Sequence, residues 1–150
     1  MRNESVKVST QELWAKLFRA PNIDSYFAEN GSAMITPCFS QYITDLCQQK
    51  GKTPEQVIKR SNIEKSFGHR LFSGARNPSR DTVLQLAFGF CLSTDETQQL
   101  LKTARMFMLH PKVKRDAIIA YCLHNGKTLD ETNLILFDNN IPLIGGSKNE

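Results

Sequence analysis

Lys59, Arg60, Lys65, Arg70, Arg76 and Arg80 crowd residues 59–80, and Glu64 is the single acid among them. Ammonium and guanidinium groups at that density suit a polyanion, because each phosphate they neutralise releases a counterion. A second run, Lys102, Arg105, Lys112, Lys114 and Arg115, has no acid at all. The formal net charge of the chain is only +4, so its cations are segregated rather than numerous. For the second run the competing reading is an ordinary solvated helix surface.

Other chemistry is poorly provided. Cys38, Cys47, Cys91 and Cys122 form no C-x-x-C pair and fit no zinc spacing. They read as small buried hydrophobes in a reducing compartment. Cys122 and His124 bring a thiol near an imidazole, but two such groups do not make a nucleophilic site. His69, His110 and His124 are far apart, and the chain has no phosphate-cradling glycine loop and no G-x-S-x-G. The sequence therefore predicts no enzyme, no metal and no cofactor.

The elements that must position the cations are legible from their punctuation. Capping boxes, in which a Ser or Thr and a Glu or Gln three residues later satisfy two N–H groups at a helix start, occur at Ser9/Glu12, Thr53/Gln56, Ser93/Glu96 and Thr128/Glu131. Pro54 follows Thr53 and suits the first helical position. Stops are expected at Asn30-Gly31, Lys50-Gly51, Ser73-Gly74 and Asn125-Gly126. Between these marks apolar residues recur at three and four: Leu13, Leu17 and Phe18; Phe39, Ile43, Leu46 and Cys47; Val83, Leu84, Ala87, Phe88 and Cys91; Ile118, Ile119, Cys122 and Leu123. With no convincing alternation of period two, the expected fold class is all-α, built from about eight or nine short helices. Hydrophobic residues are 40% of the chain, enough for a core without metals or disulfides. No apolar run approaches the roughly 20 residues of a membrane helix, and the N-terminal MRNESVKVSTQE has no apolar signal-peptide core. Both point to a cytoplasmic protein that does not engage the membrane.

Residues 80–101 also lie over residues 115–136 without a gap. Arg80-Asp81 matches Arg115-Asp116, Val83-Leu84 matches Ile118-Ile119, and Asp95-Glu96-Thr97 matches Asp130-Glu131-Thr132. Each copy reads as a helix, a short turn and a second helix that docks its apolar face on its neighbour. Coincidence between two similar helical hairpins is the weaker explanation.

Thr53 to Ser79, TPEQVIKRSNIEKSFGHRLFSGARNPS, resembles the helix-turn-helix of the Cro/lambda-repressor-like (Xre) family. The resemblance rests on the capped helix start Thr53-Pro54-Glu55-Gln56-Val57, the tight turn Ser61-Asn62-Ile63, and the tail Ser73-Gly74-Ala75-Arg76-Asn77-Pro78-Ser79. It covers about residues 36–107, with a preceding helix over 36–50 and a following pair over 79–91 and 93–107. It implies a lambda-repressor-like five-helix bundle, extended here by N-terminal helices (1–35), a C-terminal hairpin (108–144) and a loose tail (145–150). The segment departs from the family pattern in three respects, at four positions. Ile58 and Gly68 exchange the usual small and aliphatic partners, so that Gly68 lets two helices cross closely over Ile58. Ser61 replaces an apolar residue, and Glu64 stands at a cap that Ser or Asp usually fills.

The resemblance also implies double-stranded DNA as partner, transcriptional regulation as role, and helix 64–73 as the element that enters the major groove. In that pose Glu64 accepts from cytosine N4, Lys65 and Arg70 donate to guanine O6 and N7, Ser66 and His69 adapt, and Phe67 touches a thymine methyl. Leu71 and either Phe67 or Phe72 face the core instead. Gln56 and nearby backbone N–H groups hold one phosphate; Arg76 and Asn77 clasp another, with Arg80 close by. The alternative for all of these residues is plain surface charge or, for Phe67, core. A homodimer is expected, because one short helix reads too few bases. The hairpin over 111–139, with Leu134, Ile135, Leu136 and Phe137, is a candidate dimer surface or simply core, and Lys112, Lys114 and Arg115 are alternative backbone contacts. A second function class is a helix-turn-helix bundle without base readout that binds a protein partner through its N-terminal or C-terminal helices, with Trp14, Phe18, Tyr26 and Phe27 as anchors.

Overall fold

The computed structural model describes residues 9–34 and 38–145. Among them are nine α-helices and no strand, and no helix is long and apolar enough to cross a membrane. The chain divides into two compact units at the 36/37 junction. The hairpin expected as an extension after residue 107 lies in the same unit as the helices before it. Beyond Gly145 the expected loose tail lies outside the described residues, as do residues 1–8.

The first unit is a pair, α1 (Thr10–Arg19) and α2 (Ile23–Met34). Ser9 and Glu12 form the expected capping box. Leu13 and Leu17 are half-buried, but Phe18 is 76% exposed and so does not share their buried face; it stacks on Trp14 with ring centroids 5.5 Å apart. The stop expected at Asn30-Gly31 does not occur, since α2 runs on to Met34. Asn30 bonds its amide to the Tyr26 carbonyl one turn back, at 3.0 Å, and Gly31 does not take the left-handed conformation that closes α3 and α5.

The second unit holds α3 (Phe39–Lys50), α4 (Pro54–Arg60), α5 (Lys65–Ser73), α6 (Arg80–Gly89), α7 (Thr94–Thr103), α8 (Lys114–His124) and α9 (Leu129–Asp138). The capping boxes at Thr53, Ser93 and Thr128 all form. Gly51 and Gly74 end α3 and α5 in the left-handed conformation that glycine adopts at least cost. α6 is the axis of the core: Thr82 to Gly89 are buried apart from half-buried Gln85, and Ile43, Val57, Leu71, Leu100, Ile119, Cys122 and Leu136 close around it.

The internal repeat governs how α6–α9 join. Arg80 forms a two-pronged pair with Asp116, and Arg115 forms the same pair with Asp81, all four N–O distances being 3.1 Å. Each arginine also caps backbone in its own copy: Arg80 donates to the Phe107 and Met108 carbonyls, Arg115 to those of Pro142 and Leu143. Each aspartate takes one more N–H, His110 to Asp116 and Gly145 to Asp81. The amide of Gln98 clasps the backbone of Leu109, and Asn133 clasps Ile144 in the same way. Every one of these partners lies 35 residues from its counterpart. The equivalence thus continues to residues 110 and 145, past the end of the sequence match.

Candidate nucleic-acid interface

The face that carries the first basic block is built by α4, a tight turn and α5. Asn62 takes the left-handed conformation, φ 59°, that a short polar side chain tolerates. Gln85 of α6 pins the turn by donating to the Ser61 and Asn62 carbonyls at 3.1 and 3.2 Å. Ser61, standing where the family pattern has an apolar residue, is fully buried and satisfies its hydroxyl on the Val57 carbonyl at 2.6 Å. Gly89 makes room for it, because a methyl there would run into the Ser61 hydroxyl.

Gly68 has an equally specific steric cause. A Cβ at this position would lie 2.6 Å from Ile58 Cγ2 and 2.7 Å from Cγ1. α5 therefore crosses α4 directly over the Ile58 side chain, which is the exchange of large and small partners expected from the sequence.

Glu64 starts α5. Its two carboxylate oxygens accept the Ser66 N–H at 3.0 Å and the Phe67 N–H at 2.9 Å. Those bonds hold its carboxyl below the usual carboxylate range, with Arg70 adding to the effect. Its oxygens are thus already engaged in capping, in competition with the expected acceptance from a cytosine amino group.

The nine residues of α5 divide cleanly. Gly68 and Leu71 are buried, and both Phe67 and Phe72 pack partly against the core, where one of the two was expected. Phe67 is accordingly drawn from a thymine-contact position toward a packing one. Lys65, Ser66, Arg70 and Ser73 are exposed and His69 is half-buried. At 100° per residue these five fall on one arc of about 140°. Arg76 and Asn77 are exposed just beyond the helix, where the Arg76 N–H folds back to the Arg70 carbonyl at 3.2 Å. Ion pairs among the described residues use none of Lys59, Lys65, Arg70 and Arg76.

Two of the expected contact residues already make bonds within the fold. Arg80 does not stand beside Arg76 as a free cation: four of its donor bonds go to Asp116 and the Phe107 and Met108 carbonyls. Gln56 is exposed, but its Oε1 accepts the Thr53 N–H at 2.9 Å. At the start of α4, Thr53, Gln56 and Val57 all direct their N–H groups to partners within that turn, and Pro54 has none. This leaves Glu55 as the remaining backbone donor for a phosphate there.

Lys59 was not among the expected contacts, although it belongs to the basic block. It shares a cleft of about 450 Å³ with Lys65, His69, Ile58, Ile63, Asn62 and Glu55, on the α4–α5 surface. The second basic block is reduced, because Arg115 is paired with Asp81.

Cys47 and Cys122 are buried as expected, and burial pushes the Cys47 thiol up; Cys38 and Cys91 are exposed, contrary to expectation. Cys91 closes α6 in a left-handed turn, φ 58°, and accepts a long contact from Arg60 at 3.7 Å. Cys122 is buried while His124 is exposed, so no thiol–imidazole pair forms. Among the described residues no group of three potential ligands gathers for a metal. In comparisons with known proteins, no family model, no curated protein and no solved structure matches this chain.

Proposed function

We propose that this protein binds double-stranded DNA sequence-specifically, as a small transcriptional regulator with a Cro/lambda-repressor-like helix-turn-helix. α4 and α5 are the motif, and α5 enters the major groove. The observation that carries this reading is the arc of α5 where exposed Lys65, Ser66, Arg70 and Ser73 and half-buried His69 stand together without an acid and, among the described residues, without ion pairs. Lys65 and Arg70 donate to guanine edges, Ser66 and His69 adapt to the neighbouring base, and Arg76, Asn77 and Lys59 approach phosphates. Glu64 serves first to cap the reading helix. Arg80 supports the site from behind, by fixing the start of α6.

Selection from a random pool of labelled duplexes, followed by sequencing of what stays bound, tests the proposal. The expected result is a short enriched site, nearly palindromic if the protein is a dimer, whose binding is weakened by about tenfold or more in Arg70→Ala. Retention of no sequence in preference to any other would refute base readout.

A second reading is favoured by one feature of the first unit. Trp14 and Phe18 are 54% and 76% exposed, an unusual outlay of aromatic surface on a ten-residue helix. Under it the protein is an interaction module that takes a helical or apolar partner on α1. Such a module would show no sequence selection.

A further inference from the structure

The two copies of the repeat share their internal bonds but not their outer cover. Val83, Leu86 and Leu100 of the first copy are all 0% exposed. α4 packs along α6, and Lys50 at the end of α3 reaches Glu96 of α7 at 2.8 Å. The equivalent residues of the second copy are Ile118, Tyr121 and Ile135. Ile118 and Ile135 are only half-buried, and Tyr121 is 62% exposed; Leu134 of α9 is exposed as well. Glu131 stands where Glu96 stands in the first copy; it too caps its own helix, but no cation is paired with it among the described residues.

We propose that this face of α8 and α9 is covered by the same face of a second copy, in a two-fold pair. Such a pair must answer its own charges. The face can do so, because exposed Lys114 lies on α8 two turns before Tyr121 and exposed Glu131 lies on α9. Lys114 of each copy meets Glu131 of the other, around a centre of Ile118, Tyr121, Leu134 and Ile135. Exposed aromatic and leucine side chains of this kind offer roughly 100–150 Å² each. Tyr121 and Leu134 of two such faces supply about 500 Å² at this rate, and Ile118, Ile135 and the polar rims must supply the rest of the roughly 1,200 Å² at which stable pairs begin. The inference stands apart from the nucleic-acid reading, since nothing in it involves α4 or α5.

Sedimentation equilibrium of the full chain, from about 1 to about 100 µM, tests it. The wild type is expected to sediment as a dimer in the upper part of that range. Tyr121→Glu, at an exposed position, should weaken the pair about 100-fold with unchanged helical circular dichroism. Lys114→Gln and Glu131→Gln should each weaken it by about threefold, and the double variant by no more than either alone. Glutamine at 131 retains the capping box, as Gln56 does in α4. Should Tyr121→Glu fail to fold, the Lys114/Glu131 cycle still decides. A wild type that stays monomeric throughout, a folded Tyr121→Glu that dimerises like it, or additive losses in the cycle would each overturn the proposal.

Discussion

Arg70 and Arg80 lie ten residues apart in the same basic block and meet opposite surroundings. Arg70 stands exposed on α5 and takes part in no ion pair among the described residues. Arg80 is locked into a two-pronged pair with buried Asp116, and its repeat partner Arg115 does the same with Asp81. The difference lies in the company each keeps. Along 59–80 the cations find one acid, which caps α5; at the repeat junction each arginine brings its own aspartate neighbour, and the two copies exchange them. Segregated charge remains available for a ligand, whereas matched charge becomes architecture.

The contrast can be broken at several points. The largest effect is expected from Arg80→Ala. It strands the Asp116 carboxylate in the interior, and its expected cost is about 3 kcal/mol in urea unfolding. Arg115→Ala should cost about half as much, because the Asp81 side chain is 34% exposed and water takes over part of the role. Equal losses would remove the distinction between the two pairs. Gly68→Ala comes next. It gains about 1 kcal/mol of helix propensity, yet forces Ile58 aside; a net loss of about 1–2 kcal/mol is expected. Ile58→Ala, which removes both Cγ atoms, should cost less in the Gly68→Ala background than in wild type, and a stabilised Gly68→Ala would mean that α5 does not cross over Ile58.

Arg70→Ala should leave unfolding within about 0.5 kcal/mol of wild type, while duplex affinity falls by about tenfold or more. A large loss of stability would instead place Arg70 with Arg80. The smallest effect concerns Glu64. Its carboxyl is held low by the Phe67 and Ser66 N–H groups, so its stabilisation is complete above the usual carboxylate range. That stabilisation disappears as pH falls through the depressed value. The melting temperatures of wild type and Glu64→Ala should therefore differ at neutral pH and converge in acid.

Local chemistry was the most legible part of the fold. All four capping boxes form, because a cap needs only residues three apart. The Ile58/Gly68 exchange was visible as a pair of sizes out of their usual order. The stop at Asn30-Gly31 failed because Gly31, unlike Gly51, Gly74 and Gly126, does not turn left-handed, and the Asn-Gly pair alone does not tell the two cases apart. The role of Arg80 was hidden for a different reason. A basic residue at the edge of a basic block looks available until the aspartate 36 residues later is brought to it. The repeat's reach to residues 110 and 145 was equally hidden, since those bonds use backbone groups that any residue supplies. Exposure of Cys38 and Cys91 depends on which side of a helix end faces the core, and composition does not record that.

The most direct test of the division between free and matched cations is the salt dependence of duplex binding. Removing one cation that neutralises a phosphate should flatten the slope of log affinity against log salt by about 0.9. Arg76→Ala is expected to flatten it by that amount, and Lys102→Ala, an exposed cation on α7, to leave it unchanged. Duplex binding that is undetectable at low salt, or a slope that responds to Lys102 and not to Arg76, would contradict the assignment of the α4–α5 face.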